Sequence, residues 1–140
     1  MVNIIIDKQP FATIFEECYS LPMITGIGID IVEIKRVKKL IKQYGEHFLS
    51  RTFSEIEIGY CQNKPNPAQH FAGRFAAKEA LIKAYGKPLT LQEIEVENKA
   101  GEKPQIKLYG KTKTILAKHK IHLSISHDKE YAVSVIQLES

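Results

Sequence analysis

Asp30, Glu79, Lys83 and His127 are the residues of this 140-residue chain whose types and settings could carry a reaction. Asp30 follows Gly26-Ile27-Gly28-Ile29, where glycines allow another backbone to come close and a carboxylate can be held rigidly beside it. Glu79 and Lys83 lie in Phe71-Ala72-Gly73-Arg74-Phe75-Ala76-Ala77-Lys78-Glu79-Ala80-Leu81-Ile82-Lys83-Ala84-Tyr85-Gly86, a segment that reads as a buried helix yet carries four charges. Internal charges are costly unless paired, metal-bound or used. Two carboxylates from separate elements, completed by waters and a phosphate oxygen, are the usual content of a magnesium site. A lysine beside a metal-bound pyrophosphate can stabilise charge or donate a proton to a leaving group.

Each of these residues also has a plainer reading. Asp30 stands close enough to a helical stretch to serve as its N-cap. Glu79 and Lys83 in that order can form an intrahelical pair stabilising by about 0.3 to 0.5 kcal/mol. His127, in Leu123-Ser124-Ile125-Ser126-His127-Asp128, can contact phosphate together with neighbouring backbone groups, or can be an ordinary turn residue. It cannot form a local Ser-His-Asp relay, because adjacent strand residues point to opposite faces. Gly26-Ile27-Gly28 lacks the rest of a dinucleotide fingerprint.

The elements that must position these residues follow from periodicity. Residues 23 to 32 read as a strand running into Asp30, and 33 to 44 as a helix with Ile34, Val37, Leu40, Ile41 and Tyr44 on one side. Lys35, Lys38, Lys39 and Lys42 occupy its other side with Arg36 at the flank, and Gly45 ends it. Five cations without an acid suit an acidic docking partner, although a basic stripe is by default a solvated face. Ser54-Glu55-Ile56-Glu57 is a capping box opening a short helix to about Cys61. Pro65-Asn66-Pro67 precedes the long helix, on which Ala72, Gly73, Ala76, Ala77, Ala80 and Ala84 form a small-residue wall beside a ridge of Phe71, Phe75 and Ile82. Gly86 and Pro88 close it. Strands around Lys99-Ala100-Gly101-Glu102, a helix from about Lys111 to Lys118, and a hairpin around Asp128-Lys129-Glu130 complete the chain. The class is α+β, with a mainly antiparallel sheet packed against a long buried helix.

Length and composition are those of one soluble globular domain, with no linker, repeat or membrane-length apolar run. The start lacks the features of a signal peptide, so a cytoplasmic location is expected. Cys18 and Cys61 fit no disulfide framework or zinc spacing and read as packing residues. A net charge of +4 favours an acidic partner or polyanionic ligand. Nucleic-acid motifs and interleaved aromatics are missing from the basic helix.

Taken in order, Gly26-Ile27-Gly28-Ile29-Asp30-Ile31-Val32-Glu33, Phe71 to Ala80 with Lys83, and Ser124-Ile125-Ser126-His127 with Tyr131-Ala132 closely resemble the holo-acyl-carrier-protein synthases, the small trimeric class of 4′-phosphopantetheinyl transferases. The resemblance runs from Met23 to the C-terminus and leaves residues 1–22 as an N-terminal extension before a single transferase domain, 23–140. It implies the fold of that family and transfer of 4′-phosphopantetheine from coenzyme A to a serine of apo acyl carrier protein, releasing adenosine 3′,5′-bisphosphate. It implies Mg²⁺ on Asp30 and Glu79, Lys83 near the bridging phosphate, and Glu79 or a metal-bound water as base for the carrier serine. His127 would touch coenzyme A phosphate from a neighbouring subunit of a homotrimer, with Arg74 and Gly86 also on the coenzyme A side. Arg36, with Lys35 and Lys39, would contact an acidic carrier. The Gly86-Lys87-Pro88-Leu89-Thr90 connection is shorter than the family's glycine-rich one. Two other readings are a transferase for a polyketide or peptide-synthase carrier, and a non-enzymatic basic module binding RNA or an acidic protein.

Overall fold

The computed structural model describes residues 21–140. Cys18 and the first twenty residues of the expected extension lie outside that range. The elements run β1 (Ile24–Glu33), α1 (Ile34–Tyr44), α2 (Glu46–Thr52), α3 (Glu55–Gln62), α4 (Pro67–Tyr85), a 3₁₀ turn (Leu91–Glu93), β2 (Ile94–Glu97), β3 (Gln105–Leu108), α5 (Gly110–Ile115), β4 (Lys120–His127) and β5 (Tyr131–Glu139). One antiparallel sheet has the order β1-β5-β4, and β2 pairs with β3 in a second. The α+β class with an antiparallel sheet on a long helix is what the structure has.

Period-two alternation gives the three-stranded sheet two different faces. Gly26, Gly28, Asp30 and Val32 of β1 share their face with Leu138, Ile136, Ser134 and Ala132 of β5, which are all buried beneath α4. Ile27, Ile29 and Ile31 point the other way and are 63%, 58% and 64% exposed. α4 comes so close to β1 that a β-carbon on Gly28 would lie 1.9 Å from the Ala80 carbonyl oxygen, and one on Gly26 2.1 Å from that of Ala84. The paired glycines of the sequence therefore serve strand-to-helix contact, and the alanine wall of α4 is the matching surface.

Ser54 caps α3 as its sequence predicts, accepting from Glu57 N at 3.2 Å while the Glu57 carboxylate accepts from Ser54 N at 2.9 Å. That carboxylate also meets the Lys78 ammonium at 2.7 Å and accepts from Val96 N at 2.9 Å. Both side chains are fully buried, and the ammonium donates further to the carbonyls of Thr52, 2.7 Å, and Leu91, 3.2 Å. Arg74 and Lys78, one turn apart on α4, are each anchored to a different partner off the helix. Phe53 and Phe71, with ring centroids 4.9 Å apart, lead the core next to this ion pair. Cys61 is buried there too, and burial pushes its thiol up to about 11, in keeping with a packing role.

The sequence expectations for β1, α1, α3, α4, β2, β3 and the closing hairpin hold to within a few residues. Two corrections concern the site. β1 continues past Asp30 to Glu33 because pairing with β5 persists to Glu33↔Tyr131, so Asp30 lies inside the strand. The N-cap of α1 is Glu33, which makes no side-chain cap bond, so the capping reading of Asp30 falls away. α2 was not foreseen, and α5 is shorter than expected, ending at Ile115.

The close crossing yields a direct test. Gly28→Ala should destabilise the fold by about 1 to 3 kcal/mol, the usual range for overpacking. Gly59→Ala, in the interior of α3 with open space around the added methyl, should stabilise by up to about 1 kcal/mol. Urea unfolding of both proteins reads the contrast, and an unchanged midpoint for Gly28→Ala would refute the crossing.

Candidate active site

The crossing of β1 and α4 sets the site. Asp30 follows Gly28 on the same strand face, and Glu79 and Lys83 each precede one of the alanines that press on the glycines. Lys83 Nζ reaches across to β1, 2.7 Å from Asp30 Oδ1 and 3.1 Å from the Ile29 carbonyl. The ion partner of Lys83 is therefore Asp30, and the intrahelical Glu79–Lys83 reading gives way to a contact between elements. The side chain of Asp30 is 15% exposed and that of Lys83 53%, so the pair sits at the mouth of the crossing.

Glu79 is half-buried beside them. Burial, and next the Asp30 charge, push its carboxyl above the usual carboxylate range, with Lys83 pulling the other way. The two carboxylates share a local field that disfavours their joint ionisation and favours a cation. Among the described residues no group of three or more His, Cys, Asp or Glu is placed to hold a metal. Two oxygen ligands from protein, with the remaining positions left to water and phosphate, are nevertheless how magnesium is commonly held. The donor set fits that ion, and the Lys83 ammonium on Asp30 shows that the carboxylate accepts a cation.

A second cluster surrounds the N-terminal half of α4. Arg74 is buried, donates to Asn98 Oδ1 at 2.7 Å and stacks over the Tyr60 ring at 4.1 Å. Its Nε has no hydrogen-bond partner among the described residues. Lys64 lies over the same ring at 4.4 Å. His70 bridges the group, its ring 5.9 Å from Tyr60 and 6.0 Å from His127, whose Nδ1 accepts from Gln69 Nε2 at 2.7 Å. Burial, then the charges of Arg74, His127 and Lys64, hold His70 below the ordinary histidine range. Sequence reading gave His70 no role. Its spacing of one turn from Arg74, and that of Tyr60 from Lys64, was the available signal.

Within one chain these clusters stay apart. His127 shares a rung with Ala132 and Val32, two strands over from β1, which at ordinary sheet spacing is about 10 Å. Along α4, His70 and Glu79 are separated by about 14 Å at the helical rise. Gly86 closes α4 in the left-handed conformation, φ 79°, its N–H donating to Ile82 O at 2.9 Å. On α1, Lys35, Arg36, Lys38, Lys39 and Lys42 are all exposed, and its four lysines line a shallow depression of about 250 Å³.

The sequence pattern of the 4′-phosphopantetheinyl transferase superfamily matches residues 26–136. A holo-[acyl-carrier-protein] synthase of Thermodesulfovibrio yellowstonii is 47% identical over 116 residues, covering 81% of this chain and 97% of that protein. One from Koribacter versatilis is 42% identical, covering 84% of this chain and 99% of its own. Among solved structures, the Bacillus anthracis synthase in complex with coenzyme A (3′,5′-ADP) superposes with a TM-score of 0.71 at 38% identity, over 84% of this chain and 98% of that one. The Helicobacter pylori synthase in complex with coenzyme A gives 0.71 at 32% identity, over 80% and 98%. With Asp30, Glu79 and Lys83 gathered at one crossing and the match spanning the sheet and its long helix, the chain belongs to the 4′-phosphopantetheinyl transferase superfamily and, within it, to the holo-acyl-carrier-protein synthases.

Proposed function

We propose that this protein transfers 4′-phosphopantetheine from coenzyme A to a serine of apo acyl carrier protein. The observation that carries this reading is the convergence of Asp30, Glu79 and Lys83 where β1 crosses α4. The carrier serine Oγ bonds to the phosphorus that bears the pantetheine arm. The bond from that phosphorus to the bridging oxygen breaks, and adenosine 3′,5′-bisphosphate leaves. Glu79, whose carboxyl burial and the Asp30 charge raise above the usual carboxylate range, takes the serine proton as the carboxylate, and Lys83 donates to the phosphate oxygens that gain charge. Asp30 and Glu79 would hold Mg²⁺, which supplies charge neutralisation on the pyrophosphate.

His127 and Arg74 are the proposed contacts to coenzyme A phosphate, and the cationic surroundings supplied by Lys64 support an anion there. Gly86 would let the chain turn beside the nucleotide. Because His127 lies away from Asp30 within one chain, the reading places them together across subunits of a homotrimer. The exposed isoleucines of β1 offer the apolar face that such an assembly would cover. Arg36, Lys35 and Lys39 present a basic helix to an acidic carrier, steering its approach. Among the described residues no helix is long and apolar enough to cross a membrane, and a cytoplasmic site of action is part of the proposal.

The domain is proposed to be 23–140. Met23 and Ser140 exchange backbone hydrogen bonds of 3.1 and 3.0 Å, so the sheet closes at that residue. A protein starting at Met23 should fold and retain transfer, and loss of soluble, active enzyme on that truncation would refute the boundary.

Intact-mass spectrometry of apo acyl carrier protein incubated with coenzyme A, Mg²⁺ and this protein should show a gain equal to the phosphopantetheine arm, lost with chelator. Asp30→Asn and Glu79→Gln should each reduce the rate by a hundredfold or more, roughly the scale of losing a charge-stabilising group, with circular dichroism unchanged. Full activity in either variant would break the assignment.

The environment of Glu79 sets a pH dependence. A raised carboxyl pKa means that the carboxylate is regained only above the ordinary glutamate range, so activity should fall on the acid side at a higher pH than an unperturbed glutamate gives. Asp30→Asn removes one of the raising causes, and the midpoint of Glu79 should move down. Carboxyl carbon NMR titration reads both midpoints, and identical values in the two proteins would contradict the coupling.

A further inference from the structure

Among the described residues the Lys83 ammonium has two partners, and only one of them is charged. Asp30 Oδ1 accepts at 2.7 Å and the Ile29 carbonyl at 3.1 Å, both on β1, while the lysine itself is anchored on α4. The bond is accessible: Lys83 is 53% exposed, so its ammonium is rehydrated easily once Asp30 lets go, as is usual for ion pairs that water reaches. Asp30, at 15%, is the less solvated member and the one whose charge needs a permanent counter-ion. Glu79, close enough for Asp30 to raise its carboxyl, adds a second negative group to the same spot.

A divalent cation brought to these carboxylates meets the ammonium already on one of their oxygens. Two cations in contact with one oxygen repel strongly, and the divalent ion with a second carboxylate has the greater Coulombic claim. The Ile29 carbonyl alone cannot hold an ammonium against solvent. A four-carbon stem with free rotation can then carry the charge to a new anion within reach.

We propose that Lys83 and a divalent cation compete for the Asp30 carboxylate, so that cation binding on Asp30 and Glu79 releases the ammonium to the phosphates of coenzyme A. Lys83 thus has two successive partners, a tethered counter-ion's post on Asp30 and a phosphate-binding post. The exchange couples the second to prior loading of the first. This rests on the reading of Asp30 and Glu79 as cation ligands given above.

The test uses the full chain and Mn²⁺ alone, followed by the EPR signal of the free ion, with no coenzyme A and no turnover. Lys83→Met should bind Mn²⁺ about tenfold tighter than the wild type, the scale of removing a unit charge from beside a divalent ion. Lys83→Arg should stay near the wild type, and Asp30→Asn should bind far more weakly. In the wild type, the Lys83 side-chain ammonium resonance should move on titration with diamagnetic Mg²⁺ as its bond to Asp30 is lost. Equal affinities in the wild type and Lys83→Met, or an ammonium resonance unchanged at saturating Mg²⁺, would overturn the competition while leaving the cation site in place. Undiminished Mn²⁺ binding by Asp30→Asn would overturn the cation assignment itself, and the competition with it.

Discussion

The fold is organised by how closely α4 lies on β1. With glycine at 26 and 28, the carbonyls of Ala84 and Ala80 occupy the space where strand β-carbons would otherwise stand. The helix residues at that contact are alanines, part of the small-residue wall, and α4 lacks ordinary amphipathicity because it is buried on most of its sides. The chemical consequence is positional. A helix held at this distance puts the side chains just off the contact line within hydrogen-bonding reach of the strand, and Lys83 meets Asp30 there at 2.7 Å. A wider separation, as between two faces of leucine, would leave the same residues too far apart to share a cation.

The helix is fixed in rotation as well as distance, and a different charge does that. Lys78 is fully buried, with its ammonium on Glu57 and on the carbonyls of Thr52 and Leu91. Glu57 in turn spends its oxygens on the cap of α3 and on Val96 N. All three ammonium protons and both carboxylate oxygens find partners, which is the condition under which an internal ion pair is tolerated. Such a pair ranks below a hydrophobic contact as a source of stability. Its value here is directional: α4 cannot roll without breaking the Lys78 bonds to α2, α3 and the 3₁₀ turn together. Glu79, the next residue, inherits that orientation.

Much of this was legible from the sequence, and the parts that were not have identifiable causes. Local signals were readable where the chain itself decides the outcome: the Ser54–Glu57 capping box, the left-handed Gly86 after α4, and the alternation that makes β1. The four charges of α4 were visible as anomalous, but their division was not. Lys78 and Lys83 sit on one helix, and only the elements packed at each angle make the first internal and the second half-exposed. Glu57 lies 21 positions from Lys78, and a capping box gives no hint that its glutamate serves another helix as well. The strand read as running into Asp30 in fact carries on to Glu33, because it pairs with β5, a partner about a hundred residues away.

The sheet order carries the remaining argument. β1 and β4 are its two outer strands with β5 between them, so Asp30 and His127 stand on opposite edges of one sheet although both face the helix side. A ligand with phosphates at both ends of a nucleotide needs two positive or metal-bearing stations, and one chain offers its candidates on the two outer strands of the sheet. Apposition of the β4 edge of one copy to the β1 edge of the next, as in the proposed trimer, would bring unlike halves into a single site. Ile27, Ile29 and Ile31 lie on the other face of β1, and their exposure leaves an apolar surface that a neighbouring subunit of the proposed trimer would cover. Assembly and catalysis would then depend on the same strand: its glycine face receives the helix that carries Glu79 and Lys83, and its isoleucine face would receive the neighbouring subunit of the proposed trimer.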